Sequence, residues 1–269
     1  PMELLRQVYG DAVAPVGYRR PGFDLAKEVA QVVSEHDHLS GVILLNHGLI
    51  TWGTTPLESY DAHIQLVTKA EEFVQSQRNG TRVLGAITTP AFKTENRSAI
   101  ASSIAPTIRG LISNQVRSVL KYDDSEEILV FTGSSRAKEL SELGPATPDH
   151  LVQTKRKPLW VHLDTEEDTP TRVAKLRKAV EEYSTDYMNW YNQHATGSEP
   201  LLDPYPRVIL IPGLGMWTTG SNAQAALVAN EIYHHTISVI SKAEVSDSYR
   251  SINSKDAFDV EYWPLELYK

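Results

Sequence analysis

Apolar residues in the first third of the chain fall into helical spacings and short continuous runs. Residues 24–35 carry leucine and valine three and four positions apart, which predicts an amphipathic helix. Residues 42–45 are wholly apolar and predict a buried strand, and residues 49–52 predict a second strand after a tight turn. Thr55 begins a capping box, with proline next and Glu58 three positions on, so a long helix is expected to start there.

The rest of the chain carries the same kinds of signal. Threonine, proline and alanine dominate residues 81–97, which predicts a linker between two lobes. The elements expected after it are a helix over 99–112, strands over 116–122, 128–131 and 158–163, a helix from residue 169, a strand over 208–211 and a helix over 222–243.

Two segments of the chain repeat each other. Each reads strand, turn, strand and helix, and each ends in Lys-Ala-Glu, at Lys69 in the first copy and at Lys242 in the second. The interval from residue 42 to Lys69 is 27 positions, and that from residue 208 to Lys242 is 34. An insertion near residues 220–226 would account for the difference. The alternative is that strand–helix units look alike because their packing needs are alike.

Composition narrows the class of protein. Hydrophobic residues make up 41% of the 269 positions and charged residues 22%, as in an ordinary globular protein. The net charge of −8 argues against nucleic acid or an anionic membrane as the main partner. The chain has no cysteine, which excludes disulfides, thiolate metal sites and iron–sulfur clusters. With no apolar run long enough for a membrane span and no secretory signal, a cytoplasmic protein is expected.

Residues 42–53, Val-Ile-Leu-Leu-Asn-His-Gly-Leu-Ile-Thr-Trp-Gly, resemble the class II (zinc-dependent) aldolase/adducin family. Over nearly its whole length the chain resembles an internal piece of bifunctional proteins that join a rhamnulose-1-phosphate aldolase to a short-chain dehydrogenase. The resemblance implies an α/β fold of three-layer sandwich lobes, the second a degenerate repeat of the first. Residues 1–80 would be the C-terminal part of one lobe, residues 81–97 the linker, and residues 98–269 a second, metal-less lobe.

The resemblance also implies a chemistry. In the family, zinc held by three imidazoles acts as a Lewis acid, and a carboxylate and a tyrosine move protons. The expected reaction is retro-aldol cleavage of rhamnulose 1-phosphate, or a similar ketose 1-phosphate, to dihydroxyacetone phosphate and lactaldehyde. His47, in the Asn-His-Gly turn, would be the third zinc ligand. The protein is expected to be a homo-oligomer, with NAD bound only by a dehydrogenase domain after Lys269.

The expected zinc site is incomplete in this chain. Two imidazoles should come from a His-x-His strand about sixty residues before His47, which would precede Pro1, so we expect a fragment or a partner that supplies the rest. His36-Asp37-His38 has the right pattern, but it ends a helix and is better read as a solvated terminus.

In the second lobe the resemblance puts Gln153 and Lys155 where the His-x-His pair would stand, on either side of Thr154, and Gly213 in place of the third histidine. None of the three is a usual zinc ligand, so this lobe is expected to have kept the fold and lost the metal. The alternative is an unrelated α/β domain. Gly213-x-Gly215 lacks the third glycine of a dinucleotide fingerprint and predicts a structural turn.

Two functional classes therefore stay open. In one, the chain is part of a zinc-dependent sugar-phosphate aldolase that uses His47. In the other, it is a catalytically silent scaffold or oligomerisation module. A basic run at residues 155–157, with His150 nearby, is a weaker candidate for an anion site.

Overall fold

The computed structural model describes residues 2–78, 83–114 and 116–268. The helices are α1 (Met2–Tyr9), α2 (Phe23–Glu35), α3 (Pro56–Gln77), α4 (Thr94–Ile112), α5 (Glu126–Gly133), α6 (Ala137–Glu142), α7 (Pro148–Thr154), α8 (Thr169–His194), α9 (Ala223–Ser246), α10 (Ser254–Glu261) and α11 (Pro264–Tyr268). The strands are β1 (Val13–Val16), β2 (Gly41–Leu44), β3 (Gly48–Ile50), β4 (Val119–Asp123), β5 (Leu159–Trp160), β6 (Val208–Ile211) and β7 (Gly215–Gly220).

The first lobe, α1–α3 with β1–β3, is built on a sheet of order β1-β2-β3. β1 and β2 are parallel, joined through α2, and β2 and β3 form an antiparallel hairpin. Val42 and Leu44 of β2 pack against α2, where they contact the cluster that contains Leu25. The other face of β2 meets α3, where Leu66 lies against Gly41. The sheet is therefore the middle of three layers.

The second lobe, α4–α11 with β4–β7, is also a three-layer sandwich, with strand order β4-β7-β6-β5. Successive residues of β6 point to opposite faces of the sheet. Ile209 and Ile211 join the apolar cluster with α4 and α8. Val208 and Leu210 join the cluster with α5, α6 and α9. Both faces of β6 are therefore buried, which explains why β6 is apolar at every position.

The second lobe is a degenerate repeat of the first, as expected, and the two hairpins have the same pairing register. Each residue of the first hairpin lies 167 positions before its counterpart, as Leu44↔Gly48 pairing matches Ile211↔Gly215. Side chains follow the same rule: the hydroxyl of Thr51 donates to the carbonyl of Ser59 at 2.9 Å, and that of Thr218 to Ala226 at 2.8 Å. The equivalent pairs include Gly41 and Val208, Asn46 and Gly213, His47 and Leu214, Gly53 and Gly220, and the helix caps Thr55 and Asn222.

This register corrects the expected alignment of the repeat. No insertion lies near residues 220–226, because α3 and α9 begin at equivalent positions, Pro56 and Ala223. The counterpart of Lys69 is therefore Thr236, and the two Lys-Ala-Glu tripeptides are six residues, or about 1.7 helical turns, out of register. Their identity does not mark equivalent residues.

Several predicted elements differ in the structure. The strand expected over 128–131 is wrong: these residues lie in α5, where Ile128 and Phe131 are buried and Val130 is exposed. A short apolar run does not distinguish a strand from a buried helical turn, and the two acidic residues at the start of α5 favour the helix. The strand expected over 158–163 is reduced to β5, and α7, α10 and α11 were not expected.

The predicted linker packs along the second lobe. Residues 81 and 82 of this segment lie outside the described residues. Beyond them, Ile87 forms a β-bridge with Ser134, and the backbone N–H of Phe92 donates to the carbonyl of Gly213 at 2.8 Å. α4 then begins at Thr94, inside the expected linker. In the described ranges, no helix has the length and apolar character that crossing a membrane would need.

Candidate functional site

A cavity of about 1440 Å³ lies between the two lobes. The first lobe contributes the β2–β3 turn and the last turns of α3, and the second lobe contributes α9 and residues 247–250. Its walls include apolar side chains such as Val67 and Val239, and polar ones such as His47, His235 and Arg250. A large cleft in which polar side chains converge between apolar walls is typical of a ligand site.

His47 lies at the end of the turn formed by residues 45–47, called here the His47 turn. Its backbone N–H donates to the carbonyl of Leu44 at 3.0 Å, which closes the turn. Asn46 before it has a φ of 55°, a left-handed conformation that asparagine tolerates better than most residues. The Nδ1 atom of His47 is buried and has no hydrogen-bond partner in the described part of the chain. A buried, unpartnered imidazole nitrogen needs an explanation, and a ligand is one.

The described residues of this chain do not by themselves form a zinc site. A zinc site takes three or more protein ligands from histidine, cysteine and carboxylates. Among the described residues, no group of three such side chains lies close enough to hold a metal ion. His235, Glu71 and Glu72 line the same cavity as His47 but do not complete such a group. His47 is thus one candidate donor without the rest of its set.

The pair His36 and His38 lies where the sequence analysis expected it, at the solvated end of α2. Both side chains are exposed, and Nδ1 of His38 is 3.9 Å from a carboxylate oxygen of its neighbour Asp37. The two rings stand edge to face, 5.9 Å apart. Neither lines the cavity that contains His47.

In the second lobe, the turn of residues 212–214, called here the Leu214 turn, is filled by protein. The expectation that Gly213 takes the place of His47 is wrong by one residue, because the hairpin register puts Leu214 there. Leu214 is fully buried in the cluster that contains Phe92. Gly213 has a φ of 76°, and a Cβ on it would lie 2.6 Å from the Phe92 ring. Gly215 begins a strand, so the Gly-x-Gly pair is a structural turn, as expected.

Gln153 and Lys155 lie at the end of α7 and not on a strand like the expected His-x-His pair. Gln153 is exposed, whereas Lys155 is buried. The Lys155 ammonium donates to the carbonyl of Asp203 and lies 4.1 Å from the centre of the Tyr187 ring. Burial lowers the pKa of Lys155 to about 8. Its φ of 62° and ψ of 178° are strained for a residue other than glycine.

A buried polar cluster next to Lys155 was missed by sequence reasoning. Tyr187 donates its hydroxyl to Glu261 Oε1 at 2.6 Å, and its oxygen lies 2.7 Å from the hydroxyl of Tyr262. Glu261 Oε2 is buried without a hydrogen-bond partner in the described residues. Burial raises the pKa of the Glu261 carboxyl, and the nearby Lys155 works in the opposite direction. No short sequence motif predicts this cluster, because its members are up to 107 positions apart in the chain.

His234 is held between two carboxylates on the far side of α9. Its Nε2 lies 2.9 Å from Asp123 and its Nδ1 2.6 Å from Glu127. Asn230, one turn earlier on α9, donates to the same Asp123 oxygen at 2.9 Å. The spacing of Asn230 and His234 is the only part of this arrangement that the sequence displays.

The basic run at residues 155–157 is already paired. Arg156 and Lys157 both contact the carboxylate of Asp186, at 2.7 and 2.8 Å. His150 is buried and shares a hydrogen bond with Thr236 at 2.9 Å. These contacts favour a structural role over an anion site.

Comparison with known proteins agrees with this architecture. The family described as "Aldolase class II, second domain" matches residues 99–269, and "Class II Aldolase and Adducin N-terminal domain" matches residues 3–74. The chain therefore belongs to the class II aldolase/adducin family. Class II aldolases are generally zinc-dependent, and members of the family typically bind sugar phosphates and form oligomers.

A curated relative is the uncharacterized oxidoreductase YuxG of Bacillus subtilis (strain 168). It is 35% identical over 268 residues, which cover 99% of this chain and 39% of YuxG. The chain thus spans well under half the length of that relative. No solved structure matches the chain.

Proposed function

We propose that this chain is part of a zinc-dependent sugar-phosphate aldolase, in which His47 supplies one imidazole to the metal. The reaction would be retro-aldol cleavage of rhamnulose 1-phosphate, or a similar ketose 1-phosphate, to dihydroxyacetone phosphate and lactaldehyde. The remaining ligands would come from residues other than those of this chain, in a longer polypeptide or in a partner subunit of a homo-oligomer. Residues 1–80 and 98–269 would be separate aldolase-like domains joined by residues 81–97.

The observation that carries this proposal is the buried, unpartnered Nδ1 of His47 in the wall of a large interlobe cavity. Leaving such an atom unpaired destabilises a fold by about 1–3 kcal/mol, so its presence favours a function. The family match supports the aldolase class. The oxidoreductase name of YuxG supports an attached dehydrogenase that binds NAD outside this chain.

The second candidate is a scaffold that joins catalytic parts and does no chemistry. Its support is the second lobe, where Leu214 stands in the histidine position and Phe92 packs over the turn. Both candidates agree on this lobe, because a metal-less second lobe is compatible with a catalytic first one.

Zinc content and aldol cleavage of the complete natural protein distinguish the two candidates. We expect wild-type protein to bind zinc and to release dihydroxyacetone phosphate from rhamnulose 1-phosphate. His47→Ala should weaken zinc binding by more than roughly 100-fold and lose cleavage activity. The matched control is His162→Ala, an exposed histidine of the second lobe that should change neither.

Either of two results would overturn the aldolase proposal. If His47→Ala keeps its zinc and activity, His47 is not a ligand. If the wild-type protein neither binds zinc nor cleaves any ketose 1-phosphate offered, the scaffold is the better description.

A further inference from the structure

The side chain of Asn46 joins the His47 turn to the second lobe. Its amide nitrogen donates to the carbonyl of Ala146 at 3.2 Å and to the carbonyl of Arg250 at 3.0 Å. Both acceptors are carbonyl oxygens, so only the NH₂ end of the amide can face them. These two bonds connect positions 100 and 204 residues apart in the chain.

The two acceptors belong to segments that are tied to each other. Tyr249 donates its hydroxyl to the carbonyl of Gly144 at 2.6 Å, and Ser251 donates to that of Pro145 at 2.8 Å. Residues 144–146 and 249–251, called here the docking loops, therefore form one supported surface. A turn that is hydrogen-bonded to this surface is therefore restricted in its motion.

The equivalent turn in the second lobe is held in a different way. Gly213 is the counterpart of Asn46, and both have left-handed backbones. The carbonyl of Gly213 accepts from the backbone N–H of Phe92 at 2.8 Å, and the Phe92 ring lies where a side chain at position 213 would be. Each turn is thus held by a hydrogen bond to a segment outside its own hairpin. Gly213 has no side chain, so Phe92 can pack directly against its backbone, whereas the longer side chain of Asn46 reaches acceptors that lie further away.

We propose that Asn46 is a positioning residue that fastens the His47 turn to the docking loops, and that the second lobe contributes to the site by holding this turn in place. The consequence for metal binding rests on the proposed function of His47. The fastening itself does not, because it is a contact between the two lobes.

A simpler explanation is that position 46 needs only a residue that tolerates a left-handed backbone. Asn46→Gly separates the two explanations, because glycine adopts this backbone freely but cannot make the two hydrogen bonds. Asn46→Asp keeps the size of the side chain and has no N–H to donate, so it turns the contact with two carbonyls into repulsion. Asn192→Ala, at an exposed asparagine of α8, is the matched control.

Amide hydrogen exchange of the complete protein, without metal or substrate, tests the fastening. The reporters are the N–H groups of Leu45 and His47, which donate to Val16 and Leu44. Two hydrogen bonds of ordinary strength shift a local opening equilibrium by roughly 10- to 100-fold, so we expect exchange at these amides to accelerate by that factor in Asn46→Gly and Asn46→Asp. Exchange in β6 and β7 should stay as in wild type, which also shows that the variants fold.

The ring signals of His47 in ¹H–¹⁵N spectra provide a second readout. They should shift or broaden in both variants, while those of His162 stay in place. If Asn46→Gly leaves the exchange rates and the His47 signals unchanged, Asn46 serves only the backbone and the positioning proposal is wrong. The same holds if the two variants and Asn192→Ala behave alike.

This test and the test of the proposed function fail independently. Accelerated exchange in a protein that binds no zinc would leave the fastening standing and remove the aldolase proposal. Loss of zinc in His47→Ala, with exchange unchanged in Asn46→Gly, would support the aldolase proposal and contradict the fastening. Where both stand, we expect Asn46→Gly to weaken zinc binding by about 10-fold or more, the size of effect seen when the support of a metal ligand is removed.

Discussion

His47 and Leu214 occupy the same position in two equivalent hairpins. Each donates its backbone N–H to the carbonyl three residues earlier, at 3.0 Å in both turns. One side chain is an imidazole with an unpartnered nitrogen, and the other is a fully buried leucine. The hairpin therefore folds with either kind of residue, so the stability of the fold does not by itself explain why the first lobe has a histidine there.

Replacing His47 with the residue of the other hairpin should not destabilise the protein. We expect His47→Leu to leave the free energy of unfolding unchanged or to raise it by up to about 1 kcal/mol, because the unpaired nitrogen is removed from a buried position. Urea denaturation in the absence of added metal measures the change. A loss of stability well beyond 1 kcal/mol would mean that the imidazole has a structural partner.

The reverse exchange should be costly. Leu214→His buries a polar ring in an apolar cluster, so we expect a loss of about 3 kcal/mol or more. Leu214→Met keeps an apolar side chain of similar volume and should cost less than about 1.5 kcal/mol. The same denaturation experiment compares the two. We also expect no zinc binding by the second lobe of Leu214→His, and zinc bound there would count against a metal-less lobe.

The contacts of His234 should make stability depend on pH. Burial lowers the pKa of His234, but its hydrogen bonds with Asp123 and Glu127 outweigh burial and hold the pKa above its ordinary value. The histidine then binds its proton more tightly in the folded state. Its contribution is fully present below pH about 6.5 and is lost as the pH rises through the raised pKa.

Unfolding measured at several pH values tests this dependence. We expect His234→Gln to reduce the free energy of unfolding by about 1 kcal/mol at pH 6, and by less at pH 9, since the site is partly open to solvent. His162→Gln should show no such difference between the two pH values. An equal loss at both would mean that the charge of His234 is not involved.

Lys155 and Glu261 should be energetically coupled. Lys155→Met removes the cation that most lowers the pKa of the buried Glu261 carboxyl, and leaves the weaker influence of Arg207 and Arg156. A buried carboxyl that is less well compensated should cost about 1–3 kcal/mol of stability. The double variant with Glu261→Gln should recover a large part of that loss, since no buried charge is left unpaired. A double-mutant cycle by urea denaturation measures the coupling, and strictly additive effects would contradict it.

Equivalent glycines should be equally intolerant of a side chain. A Cβ on Gly53 would lie 2.5 Å from the Cβ of Glu58, and one on Gly220 would lie 2.5 Å from the backbone nitrogen of Ala226. We expect Gly53→Ala and Gly220→Ala each to lose about 1–3 kcal/mol of stability. Gly110→Ala, where the added Cβ meets open space in α4, should gain about 0.5–1 kcal/mol.

Much of the first lobe and the central hairpin of the second were predictable from consecutive residues. The capping box at Thr55 is present, with its side chain accepting from the backbone N–H of Glu58 at 3.2 Å. The apolar run at 42–45 coincides with β2 up to Leu44, and that at 208–211 is β6. In the Asn-His-Gly motif, Asn46 and His47 lie in the turn and Gly48 begins β3. These features depend on backbone capping and on side chains a few positions apart, so the sequence displays them directly.

The tertiary structure decided which residues are equivalent and which meet. The matching Lys-Ala-Glu tripeptides suggested one alignment of the two lobes. Strand pairing gives a different alignment, in which Leu214 is the counterpart of His47. The strand expected over 128–131 became a helix because it packs its apolar face against β6 and α9. Likewise, the partners of Asn46 lie 100 and 204 residues away. Contacts of that range depend on how whole layers pack, which no local pattern of residues encodes.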